Sequence, residues 1–245
     1  MPARDLPLRL GDNALVLAQR NGEWCGHAPA VEEDIAMANM ALDLLGQAKL
    51  WLDLAGRREG RGRDADALAY LRDDRQFRNF LLLELPNRDY GHTVMRQYLF
   101  DAWHHPVLAA LSRSPDADIA EIAAKAVKEA AYHLDRSRDL VIRLGDGTGE
   151  SAARMQSALD NLWPYVGEMF EDGEDLDAEG VCPPLSSFHA AWDAETGRTL
   201  LQAGLARPTS GFSHRGGIAG RHTEHLSRLL AEMQVLQRNL PGMTW

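Results

Sequence analysis

Residues 29–56 read PAVEEDIAMANMALDLLGQAKLWLDLAG, and this stretch decides the fold. Pro29 stands near a first helical turn, where its missing N–H leaves nothing unsatisfied. Glu32, Glu33 and Asp34 follow where carboxylates favour the positive end of a helix dipole. Ile35, Ala38, Leu42, Leu45 and Leu52 then recur at helical spacing as an apolar stripe that ends near Gly56. At 1.5 Å per residue such a helix is about 40 Å long, which suits a bundle better than a compact globin-like arrangement.

The flanking sequence continues in the same manner. Leu6–Glu23 carries Leu10, Ala14, Leu17 and Ala18 at helical spacing, and Gly22 and the Gly26–Pro29 stretch break it. A polar loop, Arg57–Asp66, leads to a predicted helical stretch through Phe77, Phe80 and Leu81 that Pro86 stops. A third long helix is predicted from Asp89 to Ser112, kinked at Pro106. A fourth is predicted to start with Ser114 as cap and Pro115 in the first turn. Its apolar face holds Ile119, Ala123, Ala126, Ala130, His133 and Leu140, with Gly145 as its end, so His133 is expected to point into the core. Thr148 can cap a helix carrying Met155, Leu159, Leu162, Val166 and Phe170. An acidic loop (Glu171–Glu179), a helical Leu185–Leu205 around Trp192 and a Gly-rich basic loop (Arg207–Arg221) follow. The last helix places Leu226, Leu229, Met233, Leu236 and Leu240 on one face. Leu and Ala together number 69, against 21 for Val, Ile and Thr, a balance that favours helix over strand. The expectation is one all-α domain spanning residues 1–245, a four-helix bundle with additional C-terminal helices.

Composition narrows the function classes. With 26 basic and 36 acidic residues the net charge is −10, which opposes nucleic acid or an anionic membrane surface as partner. Cys25 and Cys182 stand far apart without Cys-x-x-Cys spacing, and the N-terminus lacks the charged and apolar regions of a signal peptide, so a cytoplasmic location is expected.

Long-helix bundles often hold a di-iron centre built from one carboxylate on each of two helices and a Glu-x-x-His pair on each of the others. The spacing of three sets both ligands on one face. No Glu in the chain has a His three residues later; two Asp-x-x-His pairs occur, Asp89 with His92 and Asp101 with His104. The first reads as a solvated helix cap. Asp101 and His133 each fall mid-helix, where either a buried hydrogen-bonded pair or a metal ligand pair would fit, the buried pair being the simpler reading because an unpaired buried carboxylate is costly. His222, Glu224 and His225 cluster at the start of the last helix and read as capping and partner contact before metal binding. Gly145, Gly147 and Gly149 resemble a phosphate loop only superficially, with no Lys following.

Longer runs carry more information. GDNALVLAQRNGEWCGHAP (11–29), EEDIAMANMALDLLGQA (32–48), DDRQFRNFLLLELPN (73–87), KEAAYH (128–133) and HTEHLSRLLAEMQVLQRNLPG (222–242) together resemble the C-subunit family of phenylacetyl-CoA epoxidase, or ring 1,2-phenylacetyl-CoA oxygenase, over nearly the whole chain. Divergence is greatest between Asp172 and Arg215. The resemblance implies a ferritin-like fold and a hetero-oligomer with a related A subunit, which carries the di-iron centre and epoxidises the aromatic ring of phenylacetyl-CoA. It also implies further epoxidase subunits and a separate reductase in a monooxygenase complex of phenylacetate catabolism.

Set against the ligand pattern of that catalytic sister family, the first-helix Glu falls on Ala14 and the second helix's Glu-x-x-His on Leu44 and Gln47. The third-helix carboxylate falls on Asp101 and the fourth helix's Glu-x-x-His on Ala130 and His133. Four of these six positions have lost their donors, and neither apolar side chains nor a primary amide replaces an anionic iron ligand. The expectation is therefore a degenerate di-iron site with no catalytic residue, no metal and no cofactor in this chain, a structural subunit beside a catalytic partner. An active oxygenase with an unusual metal site and a CoA-thioester binding module near Arg207–Arg221 are the alternatives. A homodimer is the other assembly open to the isolated chain.

Overall fold

The structure is a computed structural model that describes residues 5–172 and 180–243. Among these residues there is no strand, and no helix is long and apolar enough to cross a membrane. The chain forms two compact units, one of residues 5–86 with 215–243 and the other of residues 87–214.

The first unit is built on α1 (Asp5–Gly22) and α2 (Val31–Glu59). They pack closely on each other: a Cβ placed on Gly11 would lie 2.7 Å from Leu52 Cδ2. A glycine inside a helix costs roughly 0.5–1 kcal/mol, and here its bare backbone lets the two helices close on each other. Gly60 ends α2 in the left-handed conformation at φ 70°, its N–H bonded to Gly56 O.

The packing face of α2 is not the stripe that the spacing marks. Met37, Met40, Ala41, Leu44, Gln47, Ala48, Trp51 and Leu52 are buried, whereas Ile35, Leu42 and Leu45 are exposed; of the stripe itself only Leu52 enters the core. Both sides of α2 are apolar, and helical periodicity does not say which side meets the rest of the chain.

The predicted helix through Phe77 to Leu81 is replaced by α3 (Ala65–Tyr70), a 3-10 turn at Asp74–Gln76, an extended link and the short α4 (Leu81–Glu84). The reason lies in α1. Asp12 Oδ2 accepts from the Arg78 backbone N–H (2.8 Å) and Asn13 Oδ1 from that of Phe80 (2.8 Å), so side chains of α1 satisfy amides that a helix would have bonded to itself. Asp12 also holds the Arg72 guanidinium through both of its terminal nitrogens, with both side chains buried. Arg72 in addition donates to Leu68 O and Gln76 O and lies over the Phe77 ring, 4.1 Å from its centroid.

The last predicted helix is two, α9 (Glu224–Met233) and α10 (Val235–Asn239). They meet at Gln234, whose amide donates to Ala69 O (2.9 Å) and Arg72 O (3.0 Å) and ties the C-terminal segment to the α3 region. Leu226 and Leu229 are buried as the spacing predicts, but Leu236 and Leu240 are exposed.

The second unit is built on α5 (Tyr90–Leu111) and α6 (Ala117–Gly145), an antiparallel pair joined by a tight connection. Asp89 caps α5 by accepting from the His92 N–H (2.9 Å), and the helix continues through Pro106. Asp116, not Ser114, caps α6; the Ser114 hydroxyl donates to Val181 O and accepts from the Asp116 N–H instead. Thr148 caps α7 (Gly149–Leu162) with Ser151 as its reciprocal partner; beyond that helix Val166 lies between two 3-10 turns, Trp163–Tyr165 and Gly167–Phe170, the second of which holds Phe170. The acidic loop falls largely outside the described residues, although Asp172 accepts from the Ser186 N–H and hydroxyl. Helix α8 (His189–Gln202) is anchored by Trp192, whose indole donates to Leu99 O (3.0 Å) and packs on Trp163 and Phe170. Arg138 of α6 reaches Glu195 of α8 at 2.6 Å.

Removing one partner of a buried ion pair leaves the other charge uncompensated. Asp12→Ala is expected to lower unfolding stability by about 3–5 kcal/mol, because Arg72 and the Arg78 backbone amide lose their acceptor. Urea unfolding followed by circular dichroism measures this, and an unchanged midpoint would show that the network is dispensable.

Candidate functional site

Of the six positions singled out by the family pattern, Ala14, Leu44 and Gln47 belong to the first unit and Asp101, Ala130 and His133 to the second; all six are buried. Ala14, Leu44 and Ala130 carry no donor atom.

In the second unit, the face of α5 that meets α6 is polar at its centre. Every residue of α5 from Gly91 to His104 is buried. Asp101 is fully enclosed, and its carboxyl is held by two hydrogen bonds: Gln97 Nε2 donates to Oδ1 (2.7 Å) and Ser137 Oγ donates to Oδ2 (2.9 Å). Gln97 precedes Asp101 by one helical turn and Ser137 follows His133 by one turn, so each lies on the same helix face as the residue beside it. These are the partners of Asp101 that sequence reading missed. Their spacing of four was the available signal, but Gln and Ser are common polar residues and nothing in the sequence marks them as buried.

Burial pushes the Asp101 carboxyl up to about 8, even though the bonds from Ser137 and Gln97 pull it the other way. At neutral pH Asp101 is therefore largely protonated and uncharged. His104, one turn along α5, is buried among aromatic rings, 4.7 Å from the Phe100 centroid and 6.3 Å from that of Trp103. Burial, with the neighbouring His133 and then His105, pushes its imidazole down to about 3, so it stays neutral. The second unit thus brings Asp101, His104 and His133 onto the α5–α6 pair as buried polar groups inside an apolar shell. Among the described residues no group of three or more His, Cys, Asp or Glu side chains is arranged to hold a metal ion.

The remaining candidates have structural roles. Asp89 bonds the His92 ring at 2.7 Å, and the other ring nitrogen meets Asn161 at 3.1 Å, so this Asp-x-x-His pair is a helix cap extended to α7. His222 lies between Glu84 (Nδ1 to Oε2, 2.7 Å) and Phe77 O (Nε2, 3.0 Å), while Glu84 also accepts from the Thr223 N–H (2.6 Å) and from Asn79 (3.0 Å). This cluster fastens the start of α9 to α4. Glu224 pairs with Arg228 at the surface, and the His225 N–H is capped by Thr223. Arg207, in the basic loop, pairs with Asp193 and lies over the Trp163 ring, 5.1 Å from its centroid.

A family model described as phenylacetic acid catabolic protein matches residues 3–245. The C subunit of the 1,2-phenylacetyl-CoA epoxidase of Escherichia coli (strain K12) is 49% identical over 241 residues, 97% of either chain. The chain belongs to this family. Its all-α architecture is the ferritin-like fold of that family, and the resemblance read from the five sequence runs holds over the full match.

A carboxyl that is protonated when folded and ionised when unfolded makes stability depend on pH. The unfolded chain loses the Asp101 proton near pH 3.9, the folded chain near 8, so the native state binds the extra proton between these values and stability falls as pH rises through that window. Asp101→Asn has no proton to lose. Its stability relative to the parent chain should rise between pH 5 and pH 8, by at most about 1.4 kcal/mol per pH unit. Parallel urea unfolding of both proteins at the two pH values reads this difference, and a pH-independent difference would show that Asp101 does not hold the proton.

Proposed function

We propose that this chain is a non-catalytic structural subunit of a multicomponent phenylacetyl-CoA 1,2-epoxidase in cytoplasmic, aerobic phenylacetate degradation. It supports a catalytic A subunit that carries the di-iron centre and is served by further subunits and a reductase. The identity to a relative named as the C subunit of such an epoxidase supports the pathway and the multi-subunit setting. One observation carries the non-catalytic part: Asp101, where the family pattern places a ligand, has its two oxygens engaged by Gln97 and Ser137.

That donor set does not fit a di-iron centre. Iron sites of this class take anionic carboxylates and imidazoles, and three of the six positions here are Ala14, Leu44 and Ala130. Apolar side chains at those places remove buried charges that would otherwise need a metal or a counter-charge. The chain's contribution is then a rigid helical scaffold. The CoA-thioester reading is weaker, because Arg207 of the basic loop is engaged by Asp193 and Trp163.

Coexpression separates these readings. The A subunit produced with this chain should remain soluble and turn over phenylacetyl-CoA with reductase and NADPH. The A subunit alone should be less soluble or less active, and this chain alone should show no turnover. An A subunit fully soluble and fully active by itself would remove the structural role.

A further inference from the structure

Helix α2 carries a second apolar face that its own unit leaves exposed. Val31, Ile35, Leu42 and Leu45 are 71, 58, 65 and 36% exposed, and half-buried Ala38 lies between them. Their spacings are four, three, four and three residues, the alternation of a coiled-coil seam, sustained over about 21 Å of helix. A scatter of lone surface leucines would need no explanation; a continuous row in this register is the shape that accepts the side chains of another helix.

Gly46 is a second, independent sign. It lies within α2 beside Leu42 and Leu45, is exposed, and a Cβ added to it would meet nothing within 4 Å. Unlike Gly11, it serves no close contact among the described residues, although a mid-helix glycine weakens a helix. A backbone left bare beside an exposed seam suits close approach by a helix from outside.

The charges around the seam say which kind of helix. Glu32 and Asp34 flank its N-terminal end, Asp34 accepting from the Gly26 N–H (2.7 Å), and the basic residue on this stretch, Lys49, pairs with Asp53 at 3.1 Å. A second copy of this chain, net −10, would bring the same acidic border and an ammonium already engaged. A helix with an apolar seam flanked by Lys and Arg is complementary.

We infer that the Val31–Leu45 face of α2 is the docking seam for a basic-flanked helix of the partner subunit, crossing closest at Gly46. The inference rests on the structural-subunit reading above and locates its interface.

The test uses full-length chains and the A subunit, with binding measured by biolayer interferometry and self-association by analytical ultracentrifugation. Leu42→Glu should weaken the complex at least tenfold, whereas Leu201→Glu, at an 81% exposed leucine on α8, should leave it unchanged. Gly46→Gln separates docking from folding: it should leave the melting temperature of the free chain unchanged or higher and still weaken the complex at least tenfold. Glu32→Lys should slow association. If Leu42→Glu and Gly46→Gln bind as tightly as the parent, the seam is overturned while the subunit reading stands. If the parent chain does not bind the A subunit at all, the subunit reading fails and the seam with it. If the parent self-associates and Leu42→Glu makes it monomeric, the occupant is a second copy and the inference of a basic-flanked partner helix is overturned.

Discussion

A carboxylate taken out of water must be neutralised by a counter-charge, a metal or a proton. The two units of this chain meet that constraint differently. In the first, Asp12 faces the Arg72 guanidinium, and Glu84 faces His222 together with donors from Asn79 and the Thr223 backbone. In the second, the bonds to the Asp101 carboxyl come from the neutral donors Gln97 and Ser137, and burial pushes its titration up. The first solution organises chain tracing: because Asp12 and Asn13 collect the amides of Arg78 and Phe80, the segment after α3 cannot remain helical, and because Glu84 collects His222 and Thr223, the C-terminal helices are fastened to it.

How far the sequence speaks follows from the range of each interaction. Elements set by neighbouring residues were legible. Thr148 caps its helix as its chemistry suggests, α6 ends at Gly145 although Asp146 is its cap and the glycine is not left-handed, Asp89 is a cap, and the long α2 forms over nearly the predicted span. What depends on distant partners was not. The Asp12–Arg72 pair spans 60 positions and leaves no periodic trace, so the Phe77 stretch reads as helix when it is held extended. The Ser114 cap failed for a similar reason, since its hydroxyl is engaged by Val181. On α2, the periodic stripe was real but its orientation was not readable, because a helix apolar on two sides satisfies the same pattern whichever side is buried.

The candidate site shows the same division. The positions Ala14, Leu44, Gln47, Asp101, Ala130 and His133 come from family resemblance, and all six are buried. The state of Asp101 did not come from either source, since it depends on Gln97 and Ser137 and on the enclosure of α5. Helix α2 then links fold to function, with one face closing the first unit and the other presenting an exposed seam beside Gly46.

The central claim is that this bundle has exchanged metal chemistry for a scaffold. Metal analysis of the chain, purified alone after growth with ample iron and again under anaerobic conditions, tests it most directly. The account predicts no stoichiometric iron in either preparation. About two irons per chain, the content of a complete di-iron bundle, lost on substituting Asp101 or His133 by Ala, would contradict it.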